Sequence, residues 1–235
     1  VSYNYWNPGL KAQERYFRSA YLQMGLKQAV KDELPEVEYA TRFSDGKAIV
    51  KNGDKVFTED INYVDENFFK MFSFKLLHGS ADRIFRDKQE VVLTREIAEK
   101  YFGIEDAIGK TLVIDNEDEK VYTVTGIIEA PPANSSLTFK ILIPQENRRN
   151  YERAMTRWGN FNTPTFIQLR ADADTSNLSR NLDKVIDKHM AATLKNWREE
   201  GKVAEDIKLL EYEFTRLPEW HFKKEIGWHK VSDPQ

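Results

Sequence analysis

The chain has 235 residues, enough to bury the core of one large domain or two small ones, and 40% hydrophobic with 31% charged residues excludes a disordered polymer. Its 35 basic and 38 acidic side chains leave a net charge of −3, which gives no basic footprint for nucleic acid. Cysteine is absent, which excludes a disulfide framework, thiolate catalysis and thiolate metal sites.

No stretch approaches 18 consecutive apolar residues, so no membrane span is expected. The opening VSYNYWNPG has no Met and no basic n-region, and with the SDPQ end it reads as a piece excised from something longer. Over 11–34, Tyr16, Ala20, Gly25 and Ala29 interleave with Phe17, Tyr21, Met24 and Val30, which predicts a long helix stopped by Pro35. VEYATRF (37–43) alternates like a strand, and Ser44-Asp45-Gly46 predicts a turn. Asn52-Gly53-Asp54, between 47–51 and 56–64, predicts a hairpin. DENFFKMFSF (65–74) predicts a short helix plugging a core with Phe68, Phe69 and Phe72, and 80–88 a polar connector.

VVLTREIAEKYFG (91–103) has the clearest local grammar. A strand over 91–93 leads to Thr94 as N-cap, Glu96 in the first turn, Ile97 and Tyr101 on one face, and Gly103 as C-cap. Strands over 111–114 and 121–128 follow, joined across the acidic turn 115–120. APPANSS (130–136) reads as a linker, LTFKILI (137–143) as a strand stopped by Pro144, and 145–157 as a polar stretch before a loop over 158–164. A strand over 165–169 precedes a helix capped by Thr175 or Ser176. That helix carries Leu178, Leu182, Val185, Ile186, His189, Met190 and Thr193 towards Trp197, and Gly201 ends it. A last strand is expected over 207–214. The fold class is α+β.

Chemistry is harder to find. GIEDAIGKT (103–111) approaches a phosphate-binding loop, but five residues rather than four separate Gly103 from Gly109. It also runs helix to strand, and Glu105 and Asp106 would repel a phosphate. DNEDEK (115–120) lacks the glycine and the bidentate glutamate of a calcium loop, having Lys120 and Gly126 at those places. His78, His189, His221 and His229 form no metal-binding spacing, and no G-x-S-x-G elbow exists. No catalytic, cofactor-binding or metal residue is expected and no cofactor is implied, although paired carboxylates cannot be traced across space from a sequence.

Six segments in order resemble the periplasmic core domain of MacB-type, FtsX-like ABC transporter permeases. They are ELPEVEYATRF (33–43); VDENFFKMFSFKLLHG (64–79), with its aspartate, paired phenylalanines and closing glycine; VVLTREIAEKYFG with IGKTLVID; YTVTGIIEAPPANSSLTFKILIP (122–144); TPTFIQLRADADTSNLSRNLDKVIDKH; and LPEWHF (217–222). The long polar insert over 147–160 resembles the variant of Bacteroidetes-type bacteria. The resemblance implies an ectodomain on the periplasmic side of the bacterial inner membrane, with a porter-like α/β lobe formed from 1–64 and 137–235 and an inserted Sabre-like lobe over 65–136. It implies a non-enzymatic role in export or efflux of drugs, peptides or lipoproteins. Its partners would be the permease's own transmembrane helices, a cytoplasmic ATPase acting through them, and a periplasmic membrane-fusion protein or other periplasmic partner. A homodimer is expected only in the full-length transporter. Hinges are expected near Val64-Asp65 and over 130–134, and Trp220 and Trp228 suit either a bilayer interface or a packed edge. The rival reading is a free-standing periplasmic ligand-binding protein or hydrolase.

Overall fold

The computed structural model describes residues 2–6, 16–103, 106–201, 210–220 and 226–227. The chain divides into two units, Val1–Ala40 with Glu152–Gln235, and Thr41–Tyr151. Each has its own apolar core.

In the first unit, β1 (Ser2–Trp6) is flanked antiparallel by β2 (Tyr16–Ser19) and β13 (Leu210–Glu213), and β14 (Ile226–Gly227) runs parallel to β2. β3 (Leu22–Gln23) pairs antiparallel with β11 (Phe161–Thr163). The core lies where α1 (Leu26–Glu33) meets α5 (Leu178–Glu199). Leu26 and Val30 bury against Leu182, Ile186 and Met190, with Trp158 and Tyr212 in the same cluster. The expected stripe on α5 therefore faces inward, as its three- and four-residue spacing requires. β12 (Thr165–Leu169) pairs with β4 (Val37–Asn52), whose first residues, Val37–Ala40, belong to this unit. Two short helices, α4 (Tyr151–Thr156) and α6 (Leu217–Trp220), also lie in the chain's second half.

The long helix expected over 11–34 is confined to Leu26–Glu33, with Tyr16–Ser19 and Leu22–Gln23 in strands; 11–15 lie outside the described residues. Pairing with β1 and β11 overrides the helical periodicity, which is a weak local preference beside such tertiary bonds. β11 likewise replaces part of the loop expected over 158–164. Asn177, rather than Thr175 or Ser176, stands at the start of α5.

In the second unit, β4 and β5 (Lys55–Val64) form the expected hairpin, turning at Gly53 with φ 56°. The turn expected at 44–46 is continuous strand. Asp45 pairs with Asn62, whose side-chain amide donates to the Asp45 carboxylate at 2.8 Å. Gly46 lets the strand pass beneath an aromatic ring: a Cβ there would lie 2.7 Å from Cε2 of Tyr63. β5 runs parallel to β10 (Ile141–Pro144), and β10 antiparallel to β7 (Glu90–Thr94). β7 runs parallel to β9 (Glu119–Ile128), β9 antiparallel to β8 (Thr111–Asp115), and β8 antiparallel to β4. That circuit returns to its start, so six strands close into a small barrel with no open edge of its own.

Alternate residues fill the barrel, among them Val50, Ile61, Leu93, Ile114, Val124 and Ile143, each fully buried. α3 (Arg95–Phe102) adds Ile97 and Tyr101 to the same core. Strand register shifts between Val91 and Val92 opposite Val124 and Gly126, a bulge that helps a sheet curve shut. β6 (Leu76–His78) pairs with the last residues of β9, Ile127 and Ile128, beyond the stretch taken by β8. α2 (Phe68–Met71) buries Phe68 and Phe69, and Phe68 meets Phe43, Phe72, Phe74 and Phe139. Thr94 stands at the start of α3 as expected, but its hydroxyl makes no capping bond.

The lobe expected over 65–136 falls wholly inside this second unit, which also takes in β4 from Thr41, β5 and β10. Limits at 64/65 and 136/137 would sever the β10–β7 and β4–β8 pairs on which barrel closure depends.

Candidate functional site

The loop that resembled a phosphate site is already hydrogen-bonded. Gly103 ends α3 at φ 74°, and Gly109 turns the chain at φ 79°. The Gly109 N–H donates to the Val124 carbonyl at 2.8 Å and that of Lys110 to Ala107 at 3.1 Å, so amides that would ring a phosphate serve the backbone. Residues 104 and 105 lie outside the described residues. In the acidic turn, Glu119 pairs with Lys51 at 2.5 Å, and Glu117 meets Arg149 in a two-pronged contact, both prongs at 3.0 Å. Among the described residues no group of three or more His, Asp or Glu side chains is arranged to hold a metal ion.

His78 is exposed on β6. His189 stacks on Trp158 with ring centroids 4.4 Å apart, and its Nε2 lies 2.6 Å from the Glu33 carboxylate. His221, His229, Trp228 and the side chain of Trp220 lie outside the described residues.

A group of buried polar side chains gathers instead near the two chain ends of the second unit, among them Arg42, Ser44, Gln145 and Asn147. Arg42, one residue inside its start, and Asp65, at the end of β5, are each only 1% exposed. The guanidinium forks onto the carboxylate, Nη2 to Oδ1 at 2.5 Å and Nε to Oδ2 at 3.0 Å, while the Arg42 backbone N–H also donates to Oδ2 at 2.6 Å. Burial works against the Arg42 charge, but the hydrogen bonds and charge of Asp65 outweigh it and hold its pKa above the ordinary value. Arg42 also donates to the hydroxyl of Tyr151, the unit's last residue, at 3.2 Å, and lies over that ring. Val64, beside Asp65 where a hinge is expected, is fully buried.

The segment leading to Tyr151 is held by polar side chains along its length. Gln145 donates to the Tyr63 carbonyl at 2.8 Å and Asn147 to the Lys88 carbonyl at 2.6 Å. Arg148 donates to Ser44 at 3.1 Å, and Asn116 reaches both the Tyr63 hydroxyl and the Asn147 carbonyl. Burial chiefly, with the charge of Arg42 against a contrary pull from Tyr63, keeps the Arg148 pKa below its ordinary value. Cavities of about 460 and 680 Å³ flank this strap and share Asn116, Glu117, Arg148 and Arg149. Their walls carry both signs of charge, which suits polar bonding between segments. Nothing in the sequence pairs these residues: Arg42 and Asp65 lie 23 positions apart and Arg42 and Tyr151 lie 109 apart. The signal available was the placement of Arg42 and Asp65 inside two of the recognisable segments.

A family model described as MacB-like periplasmic core domain matches residues 4–185. Among solved structures, a domain of a protein described as a permease from Porphyromonas gingivalis aligns with TM-score 0.70 at 22% identity, covering 95% of this chain and 94% of that one. The periplasmic region of MacB from Actinobacillus actinomycetemcomitans aligns with TM-score 0.52 at 16% identity, over 84% and 92% of the two chains. The extracellular domain of the noncanonic ABC-type transporter YknZ from Gram-positive bacteria aligns with TM-score 0.54 at 10% identity, over 91% and 99%. These likenesses establish a shared α+β fold. No curated protein matches the sequence.

Proposed function

The chain belongs to the MacB-like periplasmic core domain family, and from that premise we propose that it is the non-catalytic extracytoplasmic domain of an ABC-type permease, passing ATP-driven motion of membrane helices to a periplasmic substrate or partner. The family match over most of the chain carries this reading. Two units with separate cores support it, because a part that relays motion needs stiff bodies rather than a reactive cleft. The ATPase would act from the cytoplasmic side through helices that flank this domain, and a membrane-fusion protein is the partner class of the export branch.

The lobes belong to the same proposal. We assign one lobe to both chain ends and an inserted lobe to the stretch between them, with limits near 40/41 and 151/152, which keep the barrel whole. The 235 residues contain no cysteine, so a permease cleared of any cysteine elsewhere allows a direct test. In the intact permease, a single cysteine at exposed Asp54 is expected to react with a membrane-impermeant maleimide added from outside the inner membrane. Hydrogen exchange within the domain is expected to change when ATP binds on the cytoplasmic side. A protected Asp54 position, or exchange indifferent to ATP, would sink the reading.

A further inference from the structure

We propose that Arg42, Asp65 and Tyr151 form a rivet that fastens the entry of the second unit to its exit, so that the two chain ends of the barrel shift as one. Arg42 stands one residue after the unit begins, Tyr151 is its final residue, and Asp65 directly follows β5 between them. The carboxylate takes three donors from Arg42, two from the guanidinium and one from the backbone, and Arg42 passes a further donor to the Tyr151 hydroxyl. Both charges are 1% exposed, in a unit whose interior is otherwise mostly apolar.

A buried ion pair is a poor device for stability, because well-packed apolar side chains of similar volume often do as well. Its strength is geometric. A fork on a carboxylate has one good arrangement, and a small displacement leaves a buried charge without its full set of partners. Apolar contacts at the same place would tolerate sliding. The strap tightens the exit side, since Gln145 bonds to Tyr63 and Ser44, Arg148 to Ser44, and Asn147 to Lys88 just ahead of β7, all immediately before Tyr151. The use of such a rivet rests on the reading that the domain relays motion, since an impulse entering by one chain end reaches the other only if the two are fixed together. The rivet itself is tested without the permease, so its failure and the failure of that reading are separate results.

The test is amide hydrogen exchange on this 235-residue chain. Tyr151→Phe removes one oxygen and keeps the ring over Arg42, and Asp65→Asn keeps the shape and removes the charge. In Tyr151→Phe, exchange at the Arg42 amide is expected to rise at least threefold, although that amide's own acceptor is Asp65. In Asp65→Asn, exchange at the Arg148 and Tyr151 amides is expected to rise about tenfold, although both bond to backbone carbonyls of the strap. Val92, Leu93 and Val124 amides should keep their protection in both variants. A response confined to the mutated side overturns the proposal, as does an equal rise throughout the barrel. Should Asp65→Asn fail to fold, Tyr151→Phe still decides.

Discussion

Tyr122 sits inside the barrel, fully buried, with no hydrogen-bond partner for its phenol oxygen among the described residues. Burial first, and the neighbouring Tyr63 second, push its ionisation up to about 12, so it stays neutral across the physiological range. Tyr101 shows the contrasting case, because its hydroxyl lies 3.0 Å from the Glu59 carboxylate. An unpaired buried hydroxyl costs roughly 1–3 kcal/mol by mutational measures, and the ring alone supplies the packing. Tyr122→Phe is therefore expected to raise stability by about 1 kcal/mol in urea unfolding, with an unchanged dependence on denaturant. A loss of similar size would show that the oxygen holds a bonded buried water.

At the scale of elements, α1 and α5 are tied by Glu33, the last residue of α1. An acid there opposes the helix dipole, and Lys188 at 2.8 Å and His189 at 2.6 Å, both from α5, offset it. The Lys188 hydrogen bond, followed by that of His189, holds the Glu33 carboxyl below its ordinary value. A depressed carboxyl contributes stability that is present above the unfolded value, near 4.3, and disappears as pH falls through the folded one. Glu33→Gln should thus melt below the parent at pH 7 and approach it as the pH is lowered towards about 3, which a series of thermal melts would show. Melting curves that stay equally separated across that range would remove Glu33 as the cause. These elements were legible to different degrees for physical reasons. Asn52-Gly53, the run from Val91 through Gly103, and the stripe on α5 carry their instructions locally, and they form as their spacing predicts. Tyr16–Ser19 reads as helix because its strand partners lie at Ser2–Trp6 and Ile226–Gly227. The Ser44-Asp45-Gly46 turn gives way to strand because Asn62 and Tyr63 stand across from it.

The whole molecule depends on the pairings that a sequence shows least. Barrel closure needs β4 beside β8 and β5 beside β10, and the rivet needs Arg42 beside Asp65 and Tyr151; no periodicity encodes such distant meetings. The family resemblance supplied the domain's kind, while the limits of its units follow from hydrogen-bonded strands. Two separate cores in one chain make a further demand. All five tryptophans, at positions 6, 158, 197, 220 and 228, fall in the sequence of the first unit, so tryptophan fluorescence reports that unit alone. Leu182 and Ile114 are both fully buried, one in each core, and cutting either to alanine should cost about 2–5 kcal/mol. Leu182→Ala is expected to lower the fluorescence midpoint in urea. Ile114→Ala should leave that midpoint in place while an earlier loss of far-ultraviolet ellipticity marks the weakened barrel. If instead both variants shift fluorescence and ellipticity together by the same amount, the two cores unfold as one cooperative body rather than as two.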